Sequence, residues 1–291
     1  MKPPRNPHVR LLTALLVTGI SGAFSARADL IAFDSFEDYS TGNIHGQAGG
    51  TGWNGAWAVQ NISGGGSGSA TVSATSITYN HGGTTLGGGN SLQLLAASNG
   101  TRRDVFSTVN TGGSDFYVSY IFQFSGTVFT GLQALDSNPD INNDSIGLVN
   151  TNGSVGARVD NGTGSSAAGL VVQNTTYFMV VQYTGWTEAN PAYSTVNLWI
   201  NPNTGAQSGS SISATYTDST PLDGHGSTGF LGIYFRTLID SSPTVESVLI
   251  DDMRVGNTWA SVTAIPEPGS ASLAAAGFAA LFTLAGRRRR A

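Results

Sequence analysis

The chain has 291 residues, 39 of them glycine and none of them cysteine, and only 11% of it is charged. The missing cysteine removes disulfides, thiolate metal sites, iron–sulfur clusters and a cysteine nucleophile, while 40% hydrophobic residues suffice for a core. The basic residues gather at the two ends. Residues 29–264 hold five arginines, no lysine and seventeen carboxylates, a net charge of −12, which repels phosphate backbones and argues against nucleic acid as a partner.

Residues 1–28 have the layout of an export signal. Lys2, Arg5 and Arg10 precede a 14-residue apolar stretch, and Ala26-Arg27-Ala28 offers small residues at a cleavage site that leaves Asp29 as the mature N-terminus. The apolar stretch is too short for a comfortable permanent span. The competing reading is a buried N-terminal helix.

Residues 29–264 lack helical periodicity and show period-2 alternation instead. Strands are predicted at 71–79, 91–95, 116–124, 177–183, 196–200, 230–235 and 245–255. In residues 116–124, Phe116, Val118, Tyr120, Phe122 and Phe124 share one face, and Tyr117, Ser119, Ile121 and Gln123 the other. Asn152-Gly153 between 146–149 and 155–159 supplies the positive-φ residues of a hairpin turn. Ten to fourteen short strands without helices predict a two-sheet antiparallel sandwich. The glycine-rich stretches 46–55, 64–68 and 82–89 are expected to be loops.

Residues 265–291 have three parts. Ile265-Pro266-Glu267-Pro268 forbids helix. Residues 269–286 carry no charge and, as a helix, reach about 27 Å, enough for a single transmembrane span of a thin bilayer. Arg287, Arg288, Arg289 and Arg290 then hold that end on the cytoplasmic side. Two basic flanks kept inside place the intervening domain outside.

The Pro-Glu-Pro motif, apolar helix and closing arginine cluster resemble a PEP-CTERM sorting signal. The resemblance implies a Gram-negative bacterial export that passes the Sec machinery and an inner-membrane-anchored intermediate. An exosortase would recognise Pro266, Glu267 and Pro268 and release or re-attach the protein at the cell surface or in an extracellular polysaccharide matrix. A plain tail anchor is the alternative. A second resemblance rests on Asp34-Ser35-Phe36-Glu37-Asp38-Tyr39, on Gly49-Gly50-Thr51-Gly52-Trp53-Asn54-Gly55-Ala56-Trp57 and on the closing run from Ile250 to Trp259. These are similar to the opening and the last strand of concanavalin A-like (LamG-like) jelly-roll domains. That fold pairs the first and last strands, which would bring Phe33 beside Leu249.

Candidate chemistry is sparse. The Glu-x-Asp-x-x-Glu run of jelly-roll glycosidases is absent; Glu37, Glu188 and Glu246 are isolated. Asp251 and Asp252 are adjacent and would point to opposite faces of a regular strand. A hydrolase or lyase would need carboxylates from distant strands. No Gly-x-Ser-x-Gly elbow occurs in the mature region, and His45, His81 and His225 lack ligand spacing and read as surface or loop residues. Residues 50–55 match G-x-G-x-x-G but lead into no helix. Alternating oxygens at Asp136, Asn138, Asp140, Asn142 and Asp144 suit calcium or a solvated turn; LamG-like domains often hold calcium on such a loop. Trp199 reads as core, whereas Trp186 is the exposed aromatic suited to a sugar ring. Arg102-Arg103 reads as a strand-end pair bonding to acids. The sequence thus predicts a non-enzymatic exported sandwich with a polysaccharide-binding or structural role and no cofactor beyond calcium. A calcium-assisted lectin and a glycan hydrolase or lyase are the alternatives.

Overall fold

The computed structural model describes residues 30–53, 55–61, 69–95, 99–104, 116–126, 128–135, 145–149, 154–158, 165–185, 194–203, 206–215, 232–239 and 247–263. Residues 1–28 with the expected cleavage site, the expected calcium residues 136–144, Trp186, His225 and residues 265–291 with the expected sorting signal lie outside these residues. Among the described residues no helix is long and apolar enough to cross a membrane.

The described residues form eighteen strands and one short helix. The strands are β1 (Leu30–Asp34), β2 (Gly42–Asn43), β3 (Ala58–Asn61), β4 (Ser69–Ser73), β5 (Thr78–His81), β6 (Thr84–Gly87), β7 (Ser91–Leu95), β8 (Asn99–Asp104) and β9 (Phe116–Ser125). They continue with β10 (Val128–Leu135), β11 (Ser145–Val149), β12 (Ser154–Arg158), β13 (Ser165–Ala167), β14 (Tyr177–Thr184), β15 (Thr195–Ile200), β16 (Ile212–Thr215), β17 (Gly232–Ile239) and β18 (Ser247–Gly256), and α1 (Trp259–Thr263) follows. A nine-stranded sheet runs β16-β15-β14-β9-β18-β7-β4-β2, with β1 also on β18. A seven-stranded sheet runs β13-β12-β11-β10-β17-β8-β3, and β5-β6 is a separate hairpin. All the pairings are antiparallel.

The predicted alternation of β9 decides how the layers stack. Val118, Tyr120, Phe122 and Phe124 enter the core between the two large sheets. Tyr117 and Ile121 enter a second cluster on the other side of the nine-stranded sheet. Strand β14 divides likewise: Tyr177, Met179, Val181 and Tyr183 face the first core, and Phe178 and Val180 the second. Strands apolar on both faces must be covered on both faces. The seven-stranded sheet supplies one cover through Leu132, Val155, Ala157, Ile233 and Phe235, with Phe235 edge-on to Tyr120 at 5.4 Å. The β5-β6 hairpin and α1 supply the other. Trp259 meets Trp199 edge-on at 5.0 Å, and Ser119 Oγ donates to the Val262 carbonyl at 2.8 Å.

The motifs at the start of the domain form a buried polar knot. The Asp34 carboxylate accepts from the Phe36 N–H (3.0 Å), the Tyr39 hydroxyl (2.7 Å) and the Trp57 indole (3.1 Å). Thr51 bridges Phe33 through a reciprocal pair of backbone bonds at 2.8 and 2.9 Å, and the Trp53 indole donates to the Phe33 carbonyl. The G-x-G-x-x-G match is thus a strap lying on β1. Its glycines serve close backbone approach: at Gly52, φ is +78° and an added Cβ would collide with the Ile31 carbonyl.

Several expectations are corrected. The 71–79 run is two strands, β4 and β5, placed in different sheets. The 82–89 stretch carries β6, and α1 is too short to show a helical period. Arg102 and Arg103 are the fourth and fifth of the six residues of β8, close to its end. The strand count exceeds ten to fourteen because several strands have only two to four residues. The first and last strands do pair, but Phe33 faces Arg254, not Leu249, because β7 occupies that edge of β18 as far as Ile250.

Gly52→Ala is expected to cost about 3 kcal/mol or more, since it combines a strained φ with a backbone clash. Gly55→Ala, with open space around it, is expected to stay within about 0.5 kcal/mol. Urea midpoints at constant m check both.

Candidate functional site

Two polar arrangements stand out. The first is built on a β-bulge. Along β18, Val248 and Ile250 face the inter-sheet core, and so do Met253 and Val255. The spacing from Ile250 to Met253 is three, not two, so one residue is extra. The pairing with β9 shifts between Asp251 and Arg254 accordingly, and Asp252 takes φ of +47°. A bulge re-aims side chains. Here it turns both aspartates away from the inter-sheet core, which corrects the expectation of opposite faces. Asp251 and Asp252 are 0% and 8% exposed. Gly88 N–H donates to Asp251 Oδ2 (3.1 Å) and Gly87 N–H to Asp252 Oδ2 (3.2 Å). Asp251 Oδ1 also accepts the Asp252 N–H, and Asp252 Oδ1 pairs with Arg254 Nε at 2.9 Å.

Glu37 joins from the β1 side by accepting the Asn90 N–H at 3.0 Å. Burial, with the neighbouring charges of Asp252 and Glu37, pushes the Asp251 carboxyl up to about 8, against the two N–H donors that favour its anion. A cation would find carboxylate oxygens here. Among the described residues, however, no three acidic or histidine side chains converge on one point, and both Asp251 oxygens already receive N–H groups. The cluster straps the 87–90 glycine loop to β18.

His81, expected at the surface, is 3% exposed at the end of β5. Its ring lies 4.6 Å from Phe178, and Nε2 has no hydrogen-bond partner among the described residues. Burial first, and then the Arg254 charge, lower its pKa, with the Thr263 carbonyl acting the other way. His45 is an exposed loop residue, as expected, and its Nδ1 accepts the Val59 N–H.

The second arrangement lies on the seven-stranded sheet. Leu132, Val155, Ala157, Ile233 and Phe235 are buried against the other sheet, so the alternate positions belong to the opposite face. Register sets these positions in rows. Ala58, Arg102, Tyr234, Gln133, Ser145 and Arg158 are successive partners across β3, β8, β17, β10, β11 and β12. Two residues along the strands, Gly100, Arg236, Gly131, Gly147 and Gly156 form the next row. From Arg102 to Arg158 there are four strand spacings, about 19 Å. Among the described residues no second core cluster packs on this face. Asp104 is the one carboxylate in the strands of this sheet.

The structure thus brings together residues that sequence reasoning did not join. Of the row, only Arg102 had been singled out, and as a partner for acids. The row arises from pairing between strands far apart in the chain, and no local pattern announces it. The bulge did leave a local trace in the three-residue spacing of Ile250 and Met253.

No family model matches the chain, and no curated protein matches it. Among solved structures, the endo-beta-1,4-glucuronan lyase from the fungus Trichoderma reesei is similar at TM-score 0.48 and 11% identity, over 80% of this chain and 98% of that one. A botulinum neurotoxin serotype C1 binding domain aligns at TM-score 0.45 and 10% identity, over 79% of this chain and 49% of the toxin chain. A cellulose-induced protein aligns at 0.42 and 13%, over 69% and 91%. At these scores no residue role passes from them to this chain.

Two pH effects of opposite sign follow. Unfolded, Asp251 ionises near its ordinary value of 3.8; folded, it holds its proton to about 8. Its contribution to stability is complete below pH 3.8 and falls as pH rises to about 8. Asp251→Asn is expected to lower stability at pH 4 by about 1–2 kcal/mol through one lost acceptor, and to remove this decline. His81 stays neutral below its ordinary 6.5, so its contribution is lost as pH falls below 6.5. His81→Leu is expected to gain stability relative to the parent at pH 5 and less at pH 7.5. Urea unfolding of the three proteins between pH 4 and 8.5 separates the two effects.

Proposed function

We propose that the chain is an exported bacterial envelope or matrix protein whose sandwich, of the concanavalin A-like jelly-roll type, binds polysaccharide without cleaving it. The observation that carries the binding role is the register row of Arg102, Tyr234, Gln133, Ser145 and Arg158 across β8, β17, β10, β11 and β12. It places polar residue types and one aromatic at matched backbone positions on five neighbouring strands, about 19 Å, a length suited to an oligomer rather than a single sugar. Ligand sites of this kind combine apolar area with a few placed polar groups.

The non-catalytic part rests on carboxylate count. Glycoside hydrolysis of the common kind needs two carboxyl groups about 5–10 Å apart, and the strands of this sheet contribute Asp104 alone. The jelly-roll assignment is supported by the pairing of the first and last strands, β1 and β18. Export is supported by the signal layout of residues 1–28, with cleavage after Ala28. Sorting by an exosortase is supported by Pro266, Glu267 and Pro268 ahead of the apolar segment and Arg287–Arg290. In this scheme the arginines hold the tail at the inner face of the membrane until the chain is cut near the motif.

Intact-mass measurement of the protein from its native host is expected to find a form lacking residues 1–28 and the four terminal arginines. A full-length chain in the cytosol with both ends intact overturns the sorting scheme. A glycan array probed with the mature domain is expected to show retention of polysaccharide, with the viscosity of the bound polymer unchanged over time. A progressive fall in viscosity overturns the non-catalytic part.

A further inference from the structure

Among the described residues, the β5–β6 hairpin forms no ladder with either large sheet. Its strands pair with each other, from Thr78 and Gly87 at the base to His81 and Thr84 at the tip. A two-stranded hairpin is marginal by itself, so its fastening sets whether it stays in place. The base is fastened by polar bonds on both legs. On the return leg Gly87, Gly88 and Gly89 take φ of +67°, +115° and +75°. Carboxylates receive that leg: Asp252 takes the N–H of Gly87, Asp251 that of Gly88 and Glu37 that of Asn90. On the outgoing leg the Ser91 hydroxyl donates to the Thr75 carbonyl at 2.8 Å. The arm beyond the base is held by packing. Leu86 and Tyr79 join the outer apolar cluster, with the Tyr79 ring stacked on Phe178 at 6.0 Å. At the tip the buried His81 ring rests on Phe178.

We propose that this hairpin is an acid-released flap: its base stays pinned at Gly87–Asn90, and its tip is kept shut by a neutral His81 that lets go on taking a proton. In the closed flap, Nε2 of His81 has no hydrogen-bond partner among the described residues. A proton placed there is a buried donor without an acceptor, which is costly. The neighbouring groups do not relieve that cost. Strand β18 brings the Arg254 cation, whose Nε is paired with Asp252, and Asp252 gives its other oxygen to Gly87. Strand β14 brings the apolar Phe178, and the hairpin itself brings Tyr79. Helix α1, Trp-Ala-Ser-Val-Thr, holds no charged residue. The Thr263 carbonyl favours the protonated ring, but burial and Arg254 outweigh it. Asp251 and Glu37 belong to the pinned base, so they stay in place while the tip moves. The glycine run absorbs the backbone rotation. Swung out, His81 takes its proton in water, Phe178 is uncovered, and the tip leaves Thr263 at the end of α1.

Hydrogen exchange of the secreted protein between pH 7.5 and pH 5, read by mass spectrometry as protection factors, tests the flap. Amides of residues 78–86 are expected to lose protection at pH 5 by up to about thirtyfold, the limit for one imidazole of ordinary pKa 6.5 released into water. Amides of β9 and β14 are expected to keep theirs. His81→Gln, which takes no proton in this range, is expected to abolish the loss. Protection lost equally in β9 and β14 is global unfolding and overturns the flap, as does unchanged protection at 78–86. A loss that persists in His81→Gln overturns His81 as the latch. A circular-dichroism melt at pH 7.5 shows whether that variant is folded; if it is not, the pH profile of the parent decides. Protection at 78–86 is then expected to fall below pH 6.5 by about tenfold per pH unit, as for one proton taken up. A fall that starts only below pH 5, in the carboxylate range, overturns the latch.

Discussion

Strand β18 is the strand on which the other elements depend. On one side it pairs with β9 along its length. On the other it is shared, with β7 pairing as far as Ile250 and β1 from Met253 onward. Asp251 and Asp252 fall in the gap between these two partners. A gap in a ladder leaves backbone donors and acceptors to be satisfied by other means, and buried groups left unpaired are costly. The aspartates fill that gap: they take the N–H groups of Gly87 and Gly88, and Asp251 takes the N–H of its own neighbour. The bulge also lets one strand present Ile250 and Met253 to the same core although they are three residues apart. Without it, every residue beyond Asp252 would face the wrong side.

The two large sheets have different jobs. The nine-stranded sheet is covered twice, by the seven-stranded sheet and by the hairpin and helix that hold Leu86, Trp259 and Val262. It therefore provides rigidity and little accessible surface. Among the described residues, the seven-stranded sheet has a core cluster on one face only. Residue positions set by backbone register are fixed by hydrogen bonds between strands, and hold their spacing better than positions on loops. The acidic bulge and the arginine row also divide the charge. The bulge neutralises Arg254 internally through Asp252, while Arg102, Arg158 and Arg236 belong to strands of the other sheet.

Local pattern made part of this legible. The alternation of residues 116–124 gave the two faces of that strand, and the structure covers both, adding a hairpin and a short helix to the two sheets expected. The first and last strands were rightly expected to meet, but their register was not readable, because it depends on where β7 ends. The 71–79 run lacks glycine and proline and so concealed the turn between Ser73 and Thr78. His81 looked like a loop residue because its neighbours are polar, yet the hairpin folds it onto Phe178. The parity break at Asp251–Asp252 was present in the sequence, in the spacing of Ile250 and Met253. The register row was beyond local reading, since Arg102 and Tyr234 meet across 132 positions of chain.

The pairing of β1 with β18 has a mechanical consequence. Leu30 is the register partner of Gly256, so the two ends of the domain leave from neighbouring points, and a tether beyond Thr263 pulls first on the helix and then on the best-connected strand of the molecule. Load entering there is shared by three neighbouring strands at once. A domain hung instead from a margin such as β16 would peel open one ladder at a time.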